Sequence, residues 1–162
     1  MKKIIIVFIA VLGFAAVGQA QVNKHALGGR LARGTFFGAE VSYQYGFNDR
    51  NRLELDAGGD IGIGWSQTRL SGIFHWDWNI VSSFNWYIGP GAQLGFYADH
   101  DTPGNSGFTI GVGGQVGFEF DFKREFDVPI LVSIDTRPMV DVFHPVGVIF
   151  LPSAALSARY VF

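Results

Sequence analysis

Apolar and polar side chains alternate with a period of two over long stretches of this chain, and that spacing predicts β-strands. In one run Phe37, Ala39, Val41, Tyr43, Tyr45 and Phe47 share a face, while Gly38, Glu40, Ser42, Gln44, Gly46 and Asn48 take the other. Leu53, Leu55, Ala57, Ile61, Ile63 and Trp65 alternate in the same way with Arg52, Glu54, Asp56, Gly58 and Asp60. Phe108, Ile110, Val112, Val116, Phe118, Phe120 and Phe122 do so with Thr109, Gly111, Gly113, Gln115, Gly117, Glu119 and Asp121. The pattern predicts eight strands, over 24–33, 35–47, 51–65, 68–78, 84–98, 107–122, 129–142 and 150–162. Each is near or above the roughly 10 residues that a tilted strand needs to cross a bilayer. Pro90, Pro138 and Pro152 each lack the amide donor of a ladder, so a bulge or a strand end is expected at each.

Ahead of these strands the pattern changes. Met1-Lys2-Lys3 is a short basic start, Ile4 to Val17 is an uncharged apolar run, and Gly18-Gln19-Ala20 supplies small residues for a signal peptidase. The run is shorter than the roughly 20 residues of a helical span. The reading is therefore a signal peptide at 1–20, cut after Ala20, and a single barrel domain at 21–162. The chain has no cysteine, which excludes a disulfide and a lipid-modified cysteine after the leader. Without Lys2 and Lys3, 10 basic residues face 14 acidic ones, a formal charge of −4, and nothing points to nucleic acid.

Apolar residues make up 48% of the chain, yet after Ala20 none of its apolar runs could span a membrane as a helix. Soluble barrels also alternate, so the aromatic residues and the character of the polar face decide which side meets solvent. Trp76, Trp78, Phe84 and Trp86 flank one predicted turn, and Phe47, Phe120, Phe122, Tyr160 and Phe162 fall near the same edge. By position that is an aromatic girdle. The polar face mixes charge with many of the 22 glycines, which suits a crowded interior where small residues make room for long ones. The fold class is all-β, an eight-stranded antiparallel up-and-down transmembrane β-barrel. Polar, turn-forming residues at 48–51, 99–105 and 123–127 join the strands. The loops on the outer side, near 33–36, 65–69, 98–107 and 142–150, are short for adhesion or receptor work.

The last strand, Ala154-Ala155-Leu156-Ser157-Ala158-Arg159-Tyr160-Val161-Phe162, places apolar residues alternately and ends in an aromatic residue. It resembles the terminal strand signal of small OmpA- and OmpX-like, porin-like outer-membrane barrels. Asn85-Trp86-Tyr87-Ile88-Gly89-Pro90-Gly91-Ala92 and Asp135-Thr136-Arg137-Pro138 resemble segments of such barrels too. The resemblance implies the outer membrane of a Gram-negative bacterium as the location. It also implies contact with the lipid bilayer and lipopolysaccharide, and delivery by a barrel assembly machinery that reads the C-terminal strand. It names no extracellular partner and no cofactor.

With the apolar face toward lipid, charges of both signs project inward. Arg30, Arg137 and Arg159 against Glu40, Glu54, Asp56, Glu119 and Asp135 form the expected lumen charge network, because an eight-stranded barrel is only just wide enough for side chains to fill. Arg52, Asp60, His75, Asp77, Asp121 and Asp141 are expected in the lumen or at its mouths, and Ser42 is expected to matter little. A plugged barrel with a structural or interaction role is the first reading, a narrow pore for ions or small solutes the second. A lipid A-modifying enzyme is the third. For that chemistry His75 shares a face with Ser71 and Asp77, but two-residue spacing along a strand leaves neighbours roughly 7 Å apart and points them into the lumen. Asp99-His100-Asp101 has metal-binding residue types, though three consecutive residues seldom converge on one ion, so no metal is assigned. The glycines from Gly111 to Gly117 lack the phosphate-loop register and are read as a stripe facing the lumen.

Overall fold

The computed structural model describes residues 22–34, 37–102, 104–145 and 147–162; the expected signal peptide lies outside them. Its strands are β1 (His25–Gly34), β2 (Phe37–Asn48), β3 (Asn51–Gly62), β4 (Trp65–Val81), β5 (Phe84–Asp99), β6 (Gly107–Asp121), β7 (Ile130–Phe143) and β8 (Ile149–Val161). Each pairs antiparallel with its chain neighbours. β1 also pairs with β8, from Ala26 opposite Val161 to Gly34 opposite Ser153, and this closes the sheet. A closed sheet leaves no edge of unpaired amides and carbonyls, the condition for placing strands in hydrocarbon.

Inside and outside are inverted relative to a soluble domain. The buried side chains are chiefly polar, among them Arg30, Gln44, Glu54, Asp56, His75 and Arg159, while Leu31, Val41, Leu70, Ile134 and Leu156 are exposed. Ala26, Leu131 and Val161 form a small apolar cluster at one end of the lumen. That end, where the chain enters β1 and leaves β8, is called periplasmic here.

The strands differ from expectation in four places. β3 stops at Gly62, so of two residues expected on it Ile63 falls in the turn and Trp65 opens β4 opposite Gly62. β4 runs past its predicted limits at both ends, because Trp65 to Thr68 continue the alternation instead of looping. β6 stops at Asp121, whose side chain accepts from the backbone N–H of Lys123 and Arg124 and so caps a short helix, α1 (Phe122–Phe126). Phe122, expected on the strand, is therefore helical. Pro90, Pro138 and Pro152 produce no bulge and end no strand. The register shifts lie instead at Gly46/Asn48, Asn79/Val81 and Ile110/Gly111. Near the first two prolines the ladder keeps its register and skips rungs. Pairing steps from Ile73–Gly91 to Trp76–Ile88 around Pro90, and from Gly113–Met139 to Val116–Thr136 around Pro138. Pro138 and Pro152 face each other across β7 and β8. A missing donor costs least where the rung itself is omitted.

Glycine is required at the closing seam. A Cβ on Gly28 would intrude on the Ala158 carbonyl oxygen and on Arg159 Cα, both backbone of β8, whereas one on Gly72 would meet only Leu55 Cδ2 at 3.6 Å. Gly28→Ala should therefore lower the stability of the refolded protein in urea by about 1–3 kcal/mol, with Gly72→Ala unchanged. Equal midpoints for the two variants would show that the seam tolerates a side chain.

Candidate functional site

The lumen is the site, and its side chains stack in three tiers. In the outer tier Arg69 from β4 contacts Asp60 from β3, and Gln93 Nε2 donates to Asp141 Oδ1 at 2.6 Å. In the middle tier Arg30 bridges Glu40 at 2.8 Å and Asp135 at 2.6 Å. Arg137 reaches Glu54 at 2.8 Å and Asp56 at 2.5 Å, with Glu40 at 3.5 Å. Arg159 donates to Glu54 at 2.9 Å, to Ser42 Oγ at 2.9 Å and to Ser133 Oγ at 3.0 Å. In the periplasmic tier Arg52 reaches Glu119 at 2.7 Å and Asp77 at 3.2 Å, and its guanidinium lies 4.6 Å from the centre of the Tyr87 ring. His75 packs against the same ring at 4.6 Å.

Glu54 is the hub. It is wholly buried and receives Gln44 and Arg159 on one oxygen, Gln115 and Arg137 on the other. Four donors on one carboxylate are what a charge needs to persist away from water. The glycines of β6 make this crowding possible. A Cβ on Gly111 would strike Asp141 and Gln93, and one on Gly117 would strike Tyr87 and Asp135. A cavity of about 20 Å³ remains beside Arg30, Glu40, Asp60, Arg69, Gln93 and Arg137, room for about one water.

Of the expected network, Arg30, Glu40, Glu54, Asp56, Asp135, Arg137 and Arg159 lie together in the middle tier. Glu119 stands apart in the periplasmic tier with Arg52 and Asp77. Ser42, expected to be a bystander, is a partner of Arg159. Arg69 escaped the sequence reading because 65–69 looked like a loop. The neutral linkers Gln44, Gln93 and Gln115 carry no charge signal, although their inward register would have found them. Ser71, His75 and Asp77 share a face without hydrogen bonding to one another; His75 Nδ1 instead lies 3.4 Å from Arg52 Nε. His100 Nε2 is 3.4 Å from Ser66 Oγ, and the Asp99 carboxylate is taken up by the amides of Asp101 and Thr102. Among the described residues no group of three or more His, Cys, Asp or Glu could hold a metal ion.

The rim aromatics face outward in clusters. Trp78 stacks on Trp86 at 4.6 Å, Trp76 meets Phe74 edge-on at 5.3 Å, and Phe84 stacks on Phe118 at 5.7 Å. Phe120 contacts Phe122 at 4.8 Å, Tyr160 stacks on Phe162 at 6.4 Å, and Phe47 meets Tyr45 edge-on at 5.3 Å. At the opposite end Trp65 stacks on Tyr97 at 6.0 Å, with His144 4.8 Å from the same tyrosine. Partial burial there holds the His144 imidazole below its ordinary range, against the attraction of Asp141.

Among solved structures the chain matches the N-terminal β-barrel domain of Pseudomonas aeruginosa OprF, with TM-score 0.64, 14% identity, and 86% of this chain and 98% of that one covered. It also matches Neisserial surface protein A, with TM-score 0.61, 17% identity, and 85% and 94% covered. The third match is Ail, the attachment invasion locus protein of Yersinia pestis, with TM-score 0.52, 13% identity, and 85% and 96% covered. The fold is that of the small outer-membrane barrels. It has the eight-stranded, OmpA- and OmpX-like architecture, with lipid-facing apolar side chains and a polar interior. No protein-family model matches the chain. No curated protein matches it either.

Arg137→Ala or Arg159→Ala should destabilise the refolded barrel by about 3–5 kcal/mol, since each leaves buried carboxylates without their cation; Ser42→Ala should cost about 1 kcal/mol, one hydrogen bond. Indistinguishable urea midpoints for all three would show that the tiers do not hold the barrel together. At the periplasmic rim, Ser82 and Ser83 donate to Glu125 at 2.5 and 3.0 Å and hold its carboxyl below the usual range. This tie of α1 to the β4–β5 turn is present above about pH 4.3 and is lost as pH falls through the lowered value. Amide exchange in 122–127 should therefore quicken on acidification, and the double change Ser82→Ala, Ser83→Ala should remove that pH dependence.

Proposed function

We propose that this protein is an integral outer-membrane protein of a Gram-negative envelope, exported by cleavage after Ala20, whose sealed barrel serves as an anchor for a structural or interaction role. The observation that carries this is the density of the lumen. Arginine–carboxylate contacts fill the middle of the lumen, where the cavity beside Arg30 and Arg137 holds about 20 Å³, whereas a conducting path needs a continuous file of water-sized space. Its lasting partners are the bilayer, lipopolysaccharide around the outer rim, and the assembly machinery that engages β8 and its terminal Phe162. The outer connections support this reading. Only 35–36, 63–64, 100–106 and 144–148 lie between strands there, so the rim offers small contacts instead of a long adhesive loop.

An acyl-transfer enzyme would need a nucleophile, a base and an orienting group brought together. Among the described residues the Ser66–His100 approach supplies one long contact, 3.4 Å, and no third member. A non-enzymatic role is accordingly favoured.

The test is ionic conductance across a planar bilayer after refolding residues 21–162, with a gel shift between boiled and unboiled samples confirming the folded state. A folded, silent barrel is the expected result. Steady unitary conductance would overturn the sealed lumen and make its charges the selectivity elements of a pore.

A further inference from the structure

The lipid-facing side of the barrel carries a row of residues with little relief. Pro90 stands opposite Gly114, and Pro138 opposite Pro152. The register that pairs Gly113 with Met139 and Val116 with Thr136 sets Gly114 against Pro138. Pro90, Gly114, Pro138 and Pro152 therefore stand side by side across β5 to β8, on the outward face. Gly72 and Ala92, paired on the outer side of this row, are small as well. Larger side chains, Trp76, Ile88 and Val116, border the row toward the periplasm. With Pro90, Gly114 and Pro138 they line an apolar groove of about 370 Å³.

Stiffness and depth separate this groove from the rest of the wall. Each proline fixes its own backbone, and the closed sheet keeps its register on both sides of the omitted rungs. From Phe84, in the periplasmic girdle, to Pro90 is about 20 Å along β5. At a strand tilt of about 40° that is about 15 Å of depth, half of a hydrocarbon core of about 30 Å. The groove thus opens at the girdle beside Trp76 and ends near the bilayer midplane. At the rim of the same sector Arg124 Nη1 donates to the Ser82 carbonyl at 3.2 Å in the β4–β5 turn, with Lys123 beside it on α1, while Glu125 accepts from Ser82 and Ser83. Hydrocarbon is the medium on this wall, so an occupant gains no hydrophobic free energy by covering it. Dispersion is what favours one, and an unfilled groove forfeits those contacts.

We propose that this groove seats one glycerophospholipid of the periplasmic leaflet, with an acyl chain against Pro90, Gly114 and Pro138 and its phosphate at the rim beside Lys123 and Arg124. The groove is continuous with the lipid-facing wall, and an acyl chain is what that wall meets at this depth. The chain is flexible enough to follow the floor, brings no polar group into an apolar lining, and touches protein on its flanks as well as beneath. The two cations of α1 match the charge of the phosphate. The inference rests on the barrel's place in a membrane and is independent of the sealed lumen. Conductance leaves it untouched, and flotation of the refolded protein with vesicles tests the membrane placement by itself.

Native mass spectrometry of the protein refolded in detergent and titrated with dipalmitoyl phosphatidylglycerol reads the occupancy, with the gel shift confirming that each variant is folded. The parent protein should retain a single phospholipid after the detergent is stripped. Val116→Trp, which fills the groove, should weaken that retention about tenfold. Leu31→Trp, which adds the same bulk to the exposed wall of β1, should leave it unchanged. The double change Lys123→Gln, Arg124→Gln should weaken it several-fold. Should Val116→Trp fail to refold, Ile88→Trp blocks the same groove from β5, and the parent must in any case keep its one lipid. Four results would overturn the proposal. They are a parent without a one-to-one species, equal retention by the groove variants and Leu31→Trp, which is ordinary boundary lipid, preferential retention of added lipid A, and a two-barrel species abolished by Val116→Trp, which makes the groove a contact between copies of this chain.

Discussion

An eight-stranded cylinder is too narrow for bulk water, and a bilayer admits no charge on its outer wall, so the polar side chains on the inward face must find most of their partners among one another. The rest of the structure follows from this. Ion pairs in the lumen are cross-barrel ties more than local ones: Arg30 meets Asp135 at a sequence separation of 105 residues, and Arg137 meets Asp56 at 81. Such ties form only after β1 has met β8, which makes closure and neutralisation one event. Isolated hairpins of this sequence would leave Arg30 and Arg159 with a fraction of their final partners.

Glycine and proline show how narrowly the space is divided. Gly111 and Gly117 yield volume to Gln93, Asp141, Tyr87 and Asp135, so the glycine-rich interior face is the complement of its long polar side chains. Pro90 and Pro138 sit within central strands, where an absent donor would ordinarily be costly. The barrel tolerates them by leaving out rungs at unchanged register. Shifting the register would turn every following side chain to the wrong face.

How much of this was legible follows from what each signal depends on. Period-two alternation depends only on neighbours along a strand, so the eight strands, their inward and outward faces and the membership of most lumen charges could be read directly. The ends of β4 and β6 could not. Trp65 to Thr68 contain the polar residues of a loop but continue the strand, and Asp121 looks like one more inward carboxylate until its side chain is seen capping α1. The tiers were illegible for a different reason. Which arginine meets which carboxylate is decided by strand stagger around the closed barrel, and no local pattern contains that. Glu119 was therefore grouped with charges it does not touch, and Arg69 was lost with its strand end.

The choice of cation carries the last step. All five lumen cations are arginines, while Lys24 and Lys123, the lysines among the described residues, stand at the periplasmic end. A lysine would place one compact charge in a site where several acceptors must be satisfied from different strands. Arg137 donates to Glu54, Asp56 and Gln115 from β3 and β6 at once, and Arg159 to Ser42, Ser133 and Glu54 from β2, β7 and β3. The fixed fork of the guanidinium lets one side chain staple three strands. In a barrel whose interior is chiefly polar, those forks supply the rigidity that packed leucines provide in a soluble domain.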